Sequence, residues 1–428
     1  MVRLLVPFTA LFASAVFLLA GNGGLFVLLP LRAELDGFSD LALGLMGACY
    51  FAGFIGGCFA TPWLLRRAAH VRSFAALASL ISVVVLMFPL SESPLLWWLA
   101  RAASGFCLAG LYMTVESWLN GETANEFRGR VFAVYGTLNL AIIGIGTIAI
   151  GFGDPAGDRL FSIIAILFSL AVLPLLLTTG TTPAQPQRVR LDLLVLFRLA
   201  PVGAAGVMAT GFANGAFWSL APVFATGLGL SSQNAAIFMA LACLGAAAAQ
   251  WPWGRFSDGI DRRRVVLLLA SLAALSASAL FLLPLAPWSL ALLALGFGAV
   301  AIPVNAISIA HVNDHVGSGD SVAVAGGLNL LYGIGAVVGP LLAAVLMTLV
   351  GPQGLFLLIA LTHASLAGFV LFRIPRRAPV AQEDKGQFMP VSNTTQAAYD
   401  LDPRFEEAAD AGGQDTSGQD QGVNPPPV

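Results

Sequence analysis

Charge is what this sequence has least of. Only 10% of its 428 residues are Asp, Glu, Lys or Arg, against about 25% in an ordinary soluble chain. With 57% hydrophobic residues and a mean hydropathy of +0.84, no soluble core of this length could hide the apolar surface, so most of the solvent is lipid. The net charge of −2 supplies no basic face, which excludes a nucleic-acid partner. Cysteine is scarce as well. Cys49, Cys58, Cys107 and Cys243 sit singly inside apolar runs without zinc-like spacing, which makes them small packing residues. There is no Gly-x-Ser-x-Gly elbow, no ATP-binding P-loop pattern and no His/Asp cluster at membrane depth, so the sequence argues against an enzyme and calls for no cofactor or metal.

What is present is long apolar runs. A hydrocarbon core about 30 Å thick needs about 20 apolar residues per helix. Twelve runs meet that length, near 5–31, 41–65, 72–90, 94–118, 130–152, 159–178, 199–225, 233–254, 265–284, 287–311, 321–348 and 353–373. With the N-terminus placed in the cytoplasm, 18 Lys/Arg fall in inside segments and two, Arg32 and Arg159, outside, while Arg101 stays within a helix. That bias predicts a multi-pass bacterial inner-membrane protein with both termini cytoplasmic.

The chain also repeats itself. Asn22-Gly23 and Pro30 in the first span recur as Asn214-Gly215 and Pro222 in the seventh, 192 residues on, and Gly53 and Arg72 recur as Gly245 and Arg264 at the same offset. In the fifth and eleventh spans, Gly136-Thr-Leu138-Asn139-Leu140 matches Gly326-Gly-Leu328-Asn329-Leu330 at an offset of 190. The fold expected is an all-α membrane protein of twelve transmembrane helices in two pseudo-symmetric six-helix bundles, residues 1–178 and 199–375, joined by a cytoplasmic linker at 179–198. Parallel repeats of this kind belong to transporters whose halves rock about a site near the midplane. Residues 376–428 carry nine acidic and four basic residues, many Gln, Gly, Ser and Pro, and too little apolar content to fold alone. They are expected to form a disordered cytoplasmic tail.

Residues Gly254-Arg-Phe-Ser-Asp258-Gly-Ile-Asp261-Arg262-Arg263-Arg264, between the eighth and ninth spans, resemble the cytoplasmic-loop signature of the major facilitator superfamily. Asp258 takes its acidic place and Arg262 and Arg263 its basic ones, with Asp261 where the family has a second Gly. In the first half Thr61 stands where the acid would be. Arg101-Ala-Ala-Ser-Gly105 is similar to the family's Arg-x-x-x-Gly motif, and Gly335 to Gly339-Pro340 resembles its Gly/Pro signature. Val115-Glu116-Ser117-Trp118-Leu119, followed by Arg128-Gly129-Arg130, looks like the YcaD-like branch of bacterial permeases. The resemblance implies a monomeric carrier of a small solute.

A charge such as Arg101 costs about 2.5–3.5 kcal/mol at mid-membrane and is normally kept for function. It is expected to face the cavity, beside polar lining from Asn22, Asn139, Asn214 and Asn329, with Trp218, Asn305 and Tyr332 as further candidates. The alternative for the asparagines is interhelical hydrogen bonding, at about 0.6 kcal/mol each. Glu116 lies fifteen residues beyond Arg101, about 22 Å along a helix, and is expected in a cytoplasmic gate with Arg66, Arg67, Arg128, Arg130, Asp258, Arg262 and Arg263. His311 and His315 share a helix face, which reads as a polar helix end rather than a metal site. These residues predict secondary active or facilitative transport of a small polar or anionic solute by alternating access, with protons as a candidate coupling ion. Proton-coupled efflux of drug-like compounds and a non-transporting membrane sensor are the alternatives.

Overall fold

In the computed structural model the described residues are 8–177, 193–284, 286–315 and 321–376, with Lys385 and Phe388. Residue 178 at the end of the expected first bundle, residues 179–192 of the expected linker, and the expected tail apart from Arg376, Lys385 and Phe388 lie outside them.

The described residues form helices α1 (Thr9–Leu35), α2 (Asp40–Met87), α3 (Pro94–Glu122), α4 (Asn125–Gly151), α5 (Arg159–Leu170), α6 (Leu173–Leu176) and α7 (Leu193–Leu199). They continue with α8 (Pro201–Gly227), α9 (Ser232–Gly259), α10 (Arg262–Leu282), α11 (Pro287–Ala301), α12 (Pro303–Asn313), α13 (Ser321–Val350) and α14 (Gly354–Arg373). Helix α7 occupies the end of the segment expected to be linker.

Ten stretches of the described residues are long and apolar enough to cross a membrane. One of them, Asp40–Leu90, has 51 residues, about 76 Å of helix and enough for two crossings. Its backbone breaks at Ala69 (φ 59°, ψ 168°), among Arg66, Arg67 and Arg72, where the chain turns back. Helix α8 completes the set of twelve: it is a 27-residue helix whose Gly, Asn, Ser and Thr content dilutes its apolarity. The tenth crossing is α11 plus α12, broken at Ile302 because Pro303 supplies no N–H to continue the ladder.

The repeat in the sequence is a repeat in the packing. Ser39 and Ser231, 192 residues apart, cap α2 and α9 in the same way, each hydroxyl accepting from an N–H three residues on at 3.3 Å. Gly53 lets α2 approach the Ala102 carbonyl on α3 so closely that a Cβ would collide with it, and Gly245 does the same for α9 against the Leu295 carbonyl on α11. Such small-residue contacts are how membrane helices gain packing when lipid is as apolar as the core. The halves then meet along α2 against α13, α4 against α9, and α1 and α2 against α8.

One register differs from the sequence match. Gly23 of α1 packs on the Ile143 carbonyl and Gly146 on that of Ala20; their counterparts Gly215 and Gly339 pack on Ala336 and Phe212. The structural offset between α4 and α13 is therefore 193, not the 190 of the Asn139 and Asn329 match. Three residues are nearly one helical turn, so both asparagines still face the same way.

Candidate functional site

At the meeting of the two halves lies a cavity of about 110 Å³. It is walled by α1, α2, α3 and α4 on one side and α8, α12 and α13 on the other. Six of the eight residues expected to line it do so: Asn22, Asn139, Trp218, Asn305, Asn329 and Tyr332. Asn214 stands behind the wall, its Nδ2 donating to the Tyr332 hydroxyl at 3.4 Å. Asn22 donates through Nδ2 to the Tyr112 hydroxyl at 2.7 Å, and Thr210 donates to Asn305 Oδ1 at 3.1 Å.

Arg101 is not in the lining. It is buried one layer behind, its guanidinium 4.3 Å from the ring centre of Tyr50 and 5.5 Å from that of Phe26. Its Nε and Nη1 have no hydrogen-bond partner among the described residues. Two such ring contacts give about 0.5–2 kcal/mol each, less than the desolvation of a buried charge. The expectation of a guanidinium at the cavity surface is thus corrected: the rings of Tyr50 and Phe26 screen it.

Sequence reasoning missed the aromatic wall. Rings run in contact from Trp218 to Phe26 (5.1 Å), Tyr50 (5.6 Å), Phe54 (6.1 Å) and Tyr112 (6.5 Å), crossing from α8 through α1 and α2 to α3. A signal existed: of only five tyrosines in the chain, three, Tyr50, Tyr112 and Tyr332, line this cavity.

The two ends of the molecule differ. At the end carrying Glu34, Thr226 Oγ1 donates to Glu34 Oε2 at 2.7 Å between α1 and α8. On the same side Gly44 and Gly47 of α2 press against Pro340, Ala344 and Ser219 of the other half. At the arginine-rich end, an open groove of about 400 Å³ runs between α4 and α9, lined by Arg130, Thr137, Gln250 and Trp251 among others.

The residues expected to form a gate divide into two groups. Arg262 is 2% exposed and joins three partners: Asp314 at the end of α12 (2.7 Å), Ser257 (2.9 Å) and Asp258 (3.1 Å). Arg263 pairs with Asp261 at 2.8 Å. Burial alone would raise the Asp261 carboxyl, but the hydrogen bonds and charge of Arg263 outweigh it and hold it below the ordinary aspartate value. Glu116 is buried, one helical turn from Tyr112 on the same face of α3, whereas Arg66, Arg67 and Arg130 are exposed. Arg67 lies over the Trp63 ring of its own helix at 5.6 Å. The Arg128 side chain is outside the described residues. His311 and His315 meet edge to face, 4.6 Å between ring centres.

Two residues beyond α14 reach the signature loop. Phe388 N donates to Asp258 Oδ1 at 2.8 Å, its ring fills the space where a side chain at Gly254 would sit, and Lys385 Nζ donates to the Ile260 carbonyl at 2.9 Å.

Known proteins share this arrangement. The chain is 25% identical over 366 residues to the uncharacterised MFS-type transporter YcaD of Escherichia fergusonii, covering 83% of this chain and 92% of the relative. The YcaD protein of Shigella flexneri serotype 5b is similar to the same degree over 369 residues. Among solved structures, a mutant of the nucleoside transporter NupG superposes with a TM-score of 0.70 at 16% identity, over 85% of this chain and 99% of that one. A bacterial homologue of the human lysosomal transporter Spinster, in an inward-facing and occupied conformation, gives 0.67 at 17%, over 89% and 98%. The Major Facilitator Superfamily model matches residues 11–328 and 203–409. With paired six-helix halves around one central cavity and that match along nearly the whole chain, this protein belongs to the Major Facilitator Superfamily of membrane transporters.

Proposed function

We propose that the protein carries a small polar or anionic solute across the bacterial inner membrane by alternating access, as a monomer. The observation that carries this reading is the cavity between the halves, tightly packed at the Glu34 end and flanked by an open groove between α4 and α9 at the other. The 18-to-2 Lys/Arg bias supports a cytoplasmic placement of the termini and of that end, which makes the conformation inward-open. Residues 1–178 and 199–375 are the rocking units, 179–198 the tether between them, and 376–428 the cytoplasmic tail. Amides at Asn22, Asn139, Asn305 and Asn329 offer both donors and acceptors to a solute. The clasp of Arg262 on Asp258 and Asp314 holds the arginine-rich ends of α9, α10 and α12 together, so a change of that clasp gives the two conformations different energies. In the first half, Glu116 with Arg66, Arg67, Arg128 and Arg130 closes the same side when the cavity turns outward.

The test uses proteoliposomes given a mixture of amino acids, sugars, nucleosides and organic acids, with uptake read by mass spectrometry. The expected result is saturable accumulation of at least one solute, abolished when cysteines at positions 34 and 226 are oxidised together in a protein lacking the four native cysteines. No uptake of any solute, or uptake indifferent to the lock, overturns the carrier reading.

A buried carboxyl one turn from a cavity-lining tyrosine favours protons as the coupling ion, through Glu116. Glu116→Gln then removes the pH dependence of uptake. Unchanged flux and unchanged pH dependence exclude that role.

A further inference from the structure

The cavity has a chemical character narrower than polar. Among the described residues its lining contains no Asp, Glu, Lys or Arg, and one side is the continuous row of rings from Trp218 through Phe26, Tyr50 and Phe54 to Tyr112. Rings offset or edge-on at these spacings accept another flat ring and give little to a globular, heavily hydroxylated solute. Facing the row are the amides of Asn139 and Asn329, and at its edge Asn22 Oδ1 is buried with no hydrogen-bond partner among the described residues. A solute with a hydrogen-bond donor on one edge would satisfy that oxygen.

The sign of the charge comes from Arg101. It is 2% exposed, sits directly behind Tyr50 and Phe26, and its Nε and Nη1 have no acceptor among the described residues. A buried positive charge in low dielectric repels a second cation and is relieved by an anion on the far face of the ring that screens it. Glu116, one turn past Tyr112 towards the arginine-rich end, sets the opposite pole, so the field across the cavity orients a solute with its anionic group towards Tyr50 and Arg101.

We infer that the transported solute is a planar aromatic monoanion, an aromatic carboxylate in the simplest case, held with its ring along the Trp218–Tyr112 row and its charge towards Arg101. This rests on the carrier reading above and specifies its solute class.

Binding to the purified full-length protein is measured by calorimetry with 4-hydroxybenzoate, its neutral isostere 4-hydroxybenzamide, cyclohexanecarboxylate and benzylammonium. The benzoate is expected to bind about tenfold more tightly than either the amide or the non-aromatic acid, the scale of a Coulomb attraction acting across one ring, and benzylammonium not at all. Arg101→Gln brings the benzoate-to-benzamide ratio to about one while the amide still binds, which shows a folded cavity, and Arg101→Lys keeps the preference for the anion. An amide as tight as the benzoate, a preference for benzylammonium, or a ratio unchanged in Arg101→Gln overturns the inference. The mixed-solute uptake separates the two claims: accumulation of only non-aromatic or cationic solutes sinks the solute class and leaves the carrier, whereas no accumulation at all sinks the carrier.

Discussion

Glu34 and Thr226 hold the same position in the two halves, 192 residues apart, and are hydrogen-bonded to each other at 2.7 Å. A bond between pseudo-equivalent residues lies on the axis that relates the halves, so it must break whenever the halves rock apart at that end. Thr226→Val removes the donor at nearly constant volume. A membrane hydrogen bond of this kind contributes about 0.6 kcal/mol, which shifts the balance towards the state open at the Glu34 end by about threefold. Spin labels placed on α1 and α8 at that end would report it, as a larger share of the long-distance population.

A steric wedge acts more strongly at the same seam. A Cβ added at Gly44 would come within 2.5 Å of Ala344 Cβ and 2.8 Å of the Pro340 carbonyl oxygen, both in the opposite half. Gly44→Val therefore cannot be accommodated with the seam closed, and the halves must part there. The expected outcome is loss of the sealed conformation in the same label measurement, with uptake slowed. Gly296→Ala is the control, since its added Cβ meets nothing within 4 Å.

Most of the architecture was legible in the sequence because lipid leaves so few alternatives: a crossing must be an apolar helix about 20 residues long. The repeat was legible at Gly53 and Gly245 because a backbone-to-backbone approach tolerates only a glycine, whatever else has drifted. At Asn139 and Asn329 the matched letters misled by nearly a turn, since a short motif aligns equally well at 190 or 193 while the packing of Gly146 and Gly339 does not. The aromatic wall was invisible for a different reason. Phenylalanines at 29 positions serve lipid contact, core and cavity alike, and only the fold tells Phe26 and Phe54 from the rest. Arg101 was legible as a charge at membrane depth, but its layer was not, because helical spacing gives depth along an axis and not which ring stands in front.

Arg262 is the residue whose loss should cost most at the arginine-rich end. Its side chain and that of Asp314 are each 2% exposed, so Arg262→Ala strands a carboxylate in a buried place. Breaking such a pair costs about 3–5 kcal/mol. Asp258 is 34% exposed on its side chain, and Asp258→Asn keeps the shape and a hydrogen-bonding oxygen, so it should cost about 1 kcal/mol or less. Thermal unfolding of the purified protein should rank Arg262→Ala far below both wild type and Asp258→Asn. Equal stabilities would mean that the clasp contributes nothing to the fold.

The signature loop has a second hold on it, from Phe388 and Lys385. The Phe388 ring packs against the apolar cluster that contains Val265, Val266 and Val370, over a glycine that leaves it room, while its backbone N–H shares Asp258 Oδ1 with Arg262. Because the ring is only partly buried, Phe388→Ala should cost about 1–2 kcal/mol, by the apolar area it uncovers. The loss should be local. Hydrogen exchange at residues 254–261 should speed up while exchange in α1 and α8 stays as it is, since no contact described for Phe388 or Lys385 reaches the first half. Gly254→Val should reproduce the effect from the other side of the contact, by filling the space that the ring occupies. If the two single changes and the double change all raise exchange equally, both act through this one contact, as expected of neighbours that share a partner. If they add, Phe388 is held elsewhere.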